Sequence, residues 1–134
     1  VSSITVYNSA GKIVKVVLAP PDMLDMQVME GEFGLYGDSN IYTQYVDEGV
    51  VVDRPTQLTA LDKLTLISNG TESITIASAP SGTFTATNTT TRETVTGPIS
   101  GTDTFSTTVP GTYKIRIESW PYLDFETTIT AVAP

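Results

Sequence analysis

One stretch of this chain limits its possible folds more than any other. Tyr113, Ile115 and Ile117 alternate with Lys114, Arg116 and Glu118. Successive side chains on a strand point to opposite faces, so this stretch has one apolar and one charged face and reads as a half-buried β-strand. Val109-Pro110-Gly111 turns the chain into it. Trp120-Pro121-Tyr122 ends it, because proline has no N–H for a ladder and biases the preceding residue away from helical geometry. Phe125, Thr127 and Ile129 then alternate again. The two segments are expected to be the closing antiparallel pair of a β-sandwich, with Trp120 and Tyr122 packed into the end of its core.

Composition points the same way. Threonine and serine supply much of the polarity of a chain in which only 16% of residues are charged. Both suit strands and turns better than helix interiors, which predicts an all-β protein. Seven basic residues against fifteen acidic ones give a net charge of −8. Nucleic-acid affinity rests on Lys and Arg neutralising phosphates, so neither a nucleic-acid partner nor a polybasic membrane contact is expected. No run approaches the roughly 20 apolar residues of a membrane span. Val1-Ser2-Ser3-Ile4-Thr5 does not look like a signal peptide, so an export signal is expected to have been removed or never present. The chain has no cysteine, which removes disulfides and thiolate sites and favours a bacterial or viral setting over a small secreted animal domain.

Two domains are expected within the 134 residues, 1–56 and 57–134. In the first, Asn8-Ser9-Ala10-Gly11 joins strands at about 3–7 and 12–18. Pro20-Pro21 stops the second strand, Asp22 caps at most a helical turn, and strand-like residues follow at 27–30 and 33–36. A second hairpin spans 42–54, with Asp47-Glu48-Gly49 as a three-residue loop whose glycine takes positive φ. The result is a small meander of about five strands carrying a charge of −5, expected to need the sandwich or a neighbouring chain beside it. In the second domain, seven strands recur at 63–68, 73–77, 83–87, 93–96, 102–108, 112–118 and 125–131, which predicts an immunoglobulin-like sandwich without its disulfide. Its expected core is Leu64, Leu66, Ile74, Ile76, Phe84, Ala86, Val95, Phe105, Tyr113, Ile115, Ile117, Phe125 and Ile129. Thr87-Asn88-Thr89-Thr90-Thr91 reads as an exposed hairpin tip.

No catalytic constellation emerges. Without histidine or cysteine, acid pairs are the remaining route, and Asp22 with Asp25 and Asp47 with Glu48 read as solvated turn carboxylates. Gly37-Asp38-Ser39-Asn40 and Asp47-Glu48-Gly49 offer oxygen ligands but lack the spacing of a dedicated calcium loop, so no metal or cofactor is expected. Asn69-Gly70-Thr71 and Asn88-Thr89-Thr90 match the glycosylation acceptor and also fit turns. Met23, Met26 and Met29 recur every three residues beside Leu24 and Val28, and are expected to fill core beneath the proline loop, an interaction patch being the alternative. Trp120, Tyr122, Tyr42 and Tyr45 would be exposed if the protein were a carbohydrate-binding module.

Two patterns carry a family resemblance. Ile4-Thr5-Val6-Tyr7 to Ile13-Val14, a proline loop, and then Thr43-Gln44-Tyr45-Val46-Asp47-Glu48-Gly49-Val50-Val51-Val52-Asp53-Arg54-Pro55 resemble the module at the head of tailed-bacteriophage tail-fibre and tail-associated proteins. Gly111-Thr112-Tyr113 through Trp120-Pro121-Tyr122-Leu123 is similar to the closing strand pair of the immunoglobulin-like domain that follows that module. The resemblance implies a non-enzymatic virion component at the tail or its fibres, present in many copies or as a homo-oligomer and in contact with other virion proteins. A capsid decoration protein, a module binding a host-surface glycan, and a tail-fibre assembly chaperone are the alternatives. Thr-rich sheet edges suit strand addition to a partner, and residues 1–55 are expected to dock while the sandwich projects.

Overall fold

The computed structural model describes residues 2–134, and its regular structure is almost entirely β. The chain divides into two compact units, Val1–Pro55 and Thr56–Pro134.

The first unit begins with β1 (Ser2–Tyr7) and β2 (Ile13–Ala19), an antiparallel hairpin. Asn8 shapes its loop by accepting hydrogen bonds from the N–H groups of Ala10 and Lys12 at 3.0 Å each. The chain then makes two 3-10 turns, Pro21–Met23 and Asp25–Gln27, over the stretch where a helical turn was expected, and residues 28–30, expected as strand, are not in a strand. Neither turn has a side-chain cap, and Pro20 rather than Asp22 stands at the first cap position. β3 (Phe33–Tyr36) pairs with β1, so the sheet order is β2-β1-β3 and not that of a meander. Being central, β1 is buried on both faces: Ile4 and Val6 pack with Leu24, flanked by Val17, Ala19 and Val28, while Thr5 donates to the Gly37 carbonyl at 3.1 Å.

β4 (Gln44–Asp47) and β5 (Val50–Asp53) form a separate two-stranded sheet. Their loop has two residues, Glu48 and Gly49, both at positive φ (50° and 79°), instead of the expected three with a single left-handed glycine. This is the type I′ arrangement, whose twist matches that of the flanking strands. Val46 N–H donates to the Gly11 carbonyl at 2.8 Å and joins this hairpin to the β1–β2 loop. Gly11 has φ +82°, and a Cβ there would lie 2.2 Å from the Val46 oxygen, so only glycine fits.

In the second unit, β6 (Ala60–Leu61) and β7 (Thr65–Ile67) are short. β8 (Ile74–Asn88) and β9 (Thr94–Phe105) form one long antiparallel hairpin, and β10 (Gly111–Glu118) and β11 (Phe125–Val132) follow. The sheet runs β6-β8-β10-β11-β7, with β9 on β8 and β7 parallel to β11. There are six strands in this unit rather than seven: four expected short strands merge into the two long ones, and β6 is an additional short strand that was not expected.

The merged pair is bent double. Phe105 stands opposite Ile74, and Phe84 lies ten residues farther along β8, which would separate them by about 33 Å on a straight strand. Their rings are 6.0 Å apart. The bend coincides with two register shifts, between Ile76 and Ala79 and between Ala79 and Gly82, with Ser78 at φ 60° and Gly101 at φ 75°. Each shift places an extra residue on β8, and a bulge of this kind bends and twists its strand. Pro80-Ser81-Gly82 therefore forms a corner within a strand and not a loop between strands. Ser119 Oγ donates to the Ser81 carbonyl at 2.6 Å, and a Cβ on Gly82 would sit 2.1 Å from the Glu118 oxygen, so the corner is packed tightly against the end of β10.

The two halves of the bent pair enclose a sandwich-like core. Leu66, Ile74, Ala86, Phe105, Tyr113, Ile115, Ile129 and Ala131 make one cluster, and Ile76, Ala79, Ile99 and Ile117 a second. Leu64 and Val95, expected inside, are exposed: Leu64 precedes β7, and Val95 lies on β9, which pairs only with β8. Phe84 and Phe125 are half-buried and pack against the clusters. At the entry to β10, the Tyr113 hydroxyl donates to the Val109 carbonyl at 2.7 Å and lies 2.8 Å from Thr107 Oγ1. Gln57, buried far from its partners in sequence, donates to the carbonyls of Ile117 (2.9 Å) and Leu123 (3.0 Å) and accepts from Thr59 Oγ1 at 2.7 Å.

Candidate interaction surface

The segment between β2 and β3 explains the placement of the methionines. Leu24 is 3% exposed and sits in the core of the three-stranded sheet, and Val28 packs beside it. Both inward positions of the segment are thus taken by branched aliphatic residues. Met23, Met26 and Met29 are exposed at 45%, 68% and 59%, so the expected core filling is overturned. Met23 ends the first 3-10 turn and Met26 lies within the second, and both are exposed while Leu24 between the turns is buried. Leu18, Phe33, Tyr36 and Tyr42 of the same unit are also at least half exposed. The Tyr36 hydroxyl donates to Asp25, and this bond holds the phenol above its ordinary pKa.

The first unit also carries an open groove of about 400 Å³ between its two hairpin loops. Tyr7 and Phe33 are stacked on one side, with ring centroids 5.6 Å apart and planes inclined by 29°. Asn8 to Gly11 form one rim, and Tyr45, Val46 and the turn Asp47-Glu48-Gly49 form the other. Sequence reading singled out Asp47, Glu48 and Tyr45 here but missed Tyr7, Asn8 and Phe33, which the β1–β3 pairing brings together across 26 residues.

The remaining expected sites resolve as turns. Asp38 accepts from the Ser39 N–H and Asn40 from those of Tyr42 and Thr43, so the oxygens of Gly37-Asp38-Ser39-Asn40 shape the chain locally. Asp22 and Asp25 belong to successive 3-10 turns. Among the described residues no group of three or more acidic side chains is arranged to hold a metal ion, and no helix is long and apolar enough to cross a membrane. Asn69 accepts from Thr71 and Glu72 at its turn. Asn88 is 1% exposed and its Oδ1 accepts from the N–H groups of Thr90 and Thr91, so the second acceptor triplet, expected at an exposed tip, has its asparagine inside the fold.

Trp120 corrects another expectation. It is 39% exposed and not packed into the core, whereas its neighbour Ser119 is buried. The inward positions of β10 are odd-numbered, and continuing that parity one step past the strand puts Ser119 inside and Trp120 outside. Tyr122 is half-buried, and Tyr42 and Tyr45 belong to the other unit. On the outer face of the second unit, β8, β10 and β11 line a shallow depression of about 540 Å³ with Thr85, Thr87, Lys114, Arg116, Glu126 and Thr128. Arg116 is bonded to Asp124 and lies 3.6 Å from both Glu118 and Glu126. The bond to Asp124, then the nearby carboxylates, raise its pKa above the ordinary guanidinium value.

No family model matches the chain, and no curated protein or solved structure was found to be significantly similar to it.

Proposed function

We propose that the protein is a non-enzymatic structural component of a tailed-bacteriophage virion, a tail or tail-fibre-associated subunit that docks through residues 1–55. The observation carrying the docking role is the distribution of apolar side chains. Among the described residues of the first unit, ten large hydrophobic side chains are exposed and five hydrophobic residues are buried; in the second unit seven are exposed and twelve buried. A unit of 55 residues with more large hydrophobic side chains exposed than hydrophobic residues buried fits a part that is covered by a neighbour in an assembly. The phage setting rests on the two sequence patterns described above. The immunoglobulin-like reading of the second unit is supported by the Tyr113–Val109 bond, which has the form of the tyrosine corner of such domains.

Mass spectrometry and immunolabelling of purified particles from the source phage or induced prophage test this reading. A stoichiometric signal at the tail is the expected result. A signal on the capsid shell would move the protein to a decoration role, and absence from particles that assemble normally would overturn the structural reading in favour of a chaperone or a free surface-binding module. A glycan-binding role is the second reading, favoured by the exposure of Trp120; saturable quenching of its fluorescence by host-surface glycans would support it.

A further inference from the structure

The groove of the first unit has a definite chemical character. Its two charged lining residues, Asp47 and Glu48, are both acidic, and no basic residue lines it. The stacked Tyr7 and Phe33 rings line the same groove, and Phe33 is 50% exposed. Aromatic rings and carboxylates lining one groove complement a planar cation: a guanidinium stacks on an aromatic ring while its N–H fork pairs with carboxylate oxygens. The surrounding unit is acidic as well, with three basic and eight acidic residues in 1–55.

We propose that this groove receives an arginine side chain presented by an extended segment of a partner protein, seated against Phe33 and Tyr7 and paired with Asp47 and Glu48. The two-residue turn fixes where those carboxylates stand. Glu48 and Gly49 both hold positive φ, which sets the direction of the rim. The Val46–Gly11 hydrogen bond ties that rim to the opposite loop, so the width of the groove is set by the backbone. The inference builds on the reading of residues 1–55 as the docking half, but its test needs only the purified chain, so failure to find the protein in particles and failure of the groove are separate outcomes.

The test is an NMR titration of the full chain with the pentapeptide acetyl-Gly-Arg-Gly-Arg-Gly-amide, and with the same peptide carrying glutamine in place of arginine. Saturable amide shifts confined to Tyr7, Asn8, Phe33 and residues 45–49 are expected with the arginine peptide, weakening as salt is raised. The double variant Asp47→Asn/Glu48→Gln changes only exposed side chains and is expected to bind about five- to tenfold more weakly, as the loss of two exposed ion pairs implies. Phe33→Tyr, which keeps the stack, is expected to retain binding, and Phe33→Ala to lose most of it. Equal shifts from the glutamine peptide, shifts outside the groove, undiminished affinity in the double variant, or saturable binding of maltotriose at these residues in place of the arginine peptide would each overturn the proposal.

Discussion

The two units put similar sequence material to opposite uses. Residues 56–134 fold a hairpin whose two strands total 27 residues into a double layer that brings Phe105 back to Phe84 and buries twelve hydrophobic residues in two clusters. Residues 2–55 make five strands, but they divide them between two small sheets, and only Ile4, Val6 and Leu24 form a buried cluster. In the second unit, polar groups add to the enclosure: Gln57, Ser119 and Tyr113 all bond to backbone oxygens of distant or adjoining segments. In the first, the methionines and aromatics face outward. On the function proposed above, one unit stands alone and the other is covered by a neighbour, although both are all-β and acidic.

The largest effect expected from a single substitution tests the self-sufficiency of the second unit. Ile115 is 1% exposed in its main cluster, and Ile115→Ala should cost about 2–5 kcal/mol. Trp120 is the sole tryptophan and lies in this unit, so urea unfolding followed by its fluorescence reads the loss directly. A cost below about 1 kcal/mol would mean that the cluster is not what holds the sandwich.

Next is Gln57→Ala. It removes two bonds to buried backbone carbonyls and the acceptor of Thr59, for an expected loss of about 2–3 kcal/mol in the same measurement. Tyr113→Phe keeps the ring against Phe105, at 5.4 Å between centroids, and deletes only the hydroxyl. Its expected cost is about 1 kcal/mol. If the two costs came out in the reverse order, the Tyr113 hydroxyl and not the Gln57 side chain would be the main polar tie of this unit.

The smallest expected effect belongs to the first unit. Replacing Met23, Met26 and Met29 together by glutamine should change stability by no more than about 0.5 kcal/mol, because all three are exposed. The same variant should dock poorly onto particles. A large loss of stability would show that the methionines are packed, and would remove the contrast between the units.

Much of this was legible in the sequence. The alternation of Tyr113, Ile115 and Ile117 placed β10 to within one residue, and the first hairpin was readable from its β-branched runs and Asn-Gly loop. The corner of β8 was not, because proline and glycine mark a bulge and a loop with the same letters, and only pairing with β9 distinguishes them. The methionines were misplaced because an apolar residue beside Leu24 and Val28 looks like core until the 3-10 turns assign those two positions inward. Trp120 was readable from the parity of β10 and was instead assigned to the core from its place between two amphipathic strands. The groove was half legible: its acidic turn is local, whereas the Tyr7–Phe33 stack depends on β3 pairing with β1 and skipping β2.

The most direct measurement of the division of labour is to express residues 56–134 beside the full chain in cells producing the particle, and to quantify both in purified particles. NMR of the purified fragment supplies the check that it is folded. The fragment is expected to give a dispersed spectrum and to be missing from particles that carry the full chain. A folded fragment that enters particles at the level of the full chain would contradict the assignment of docking to residues 1–55.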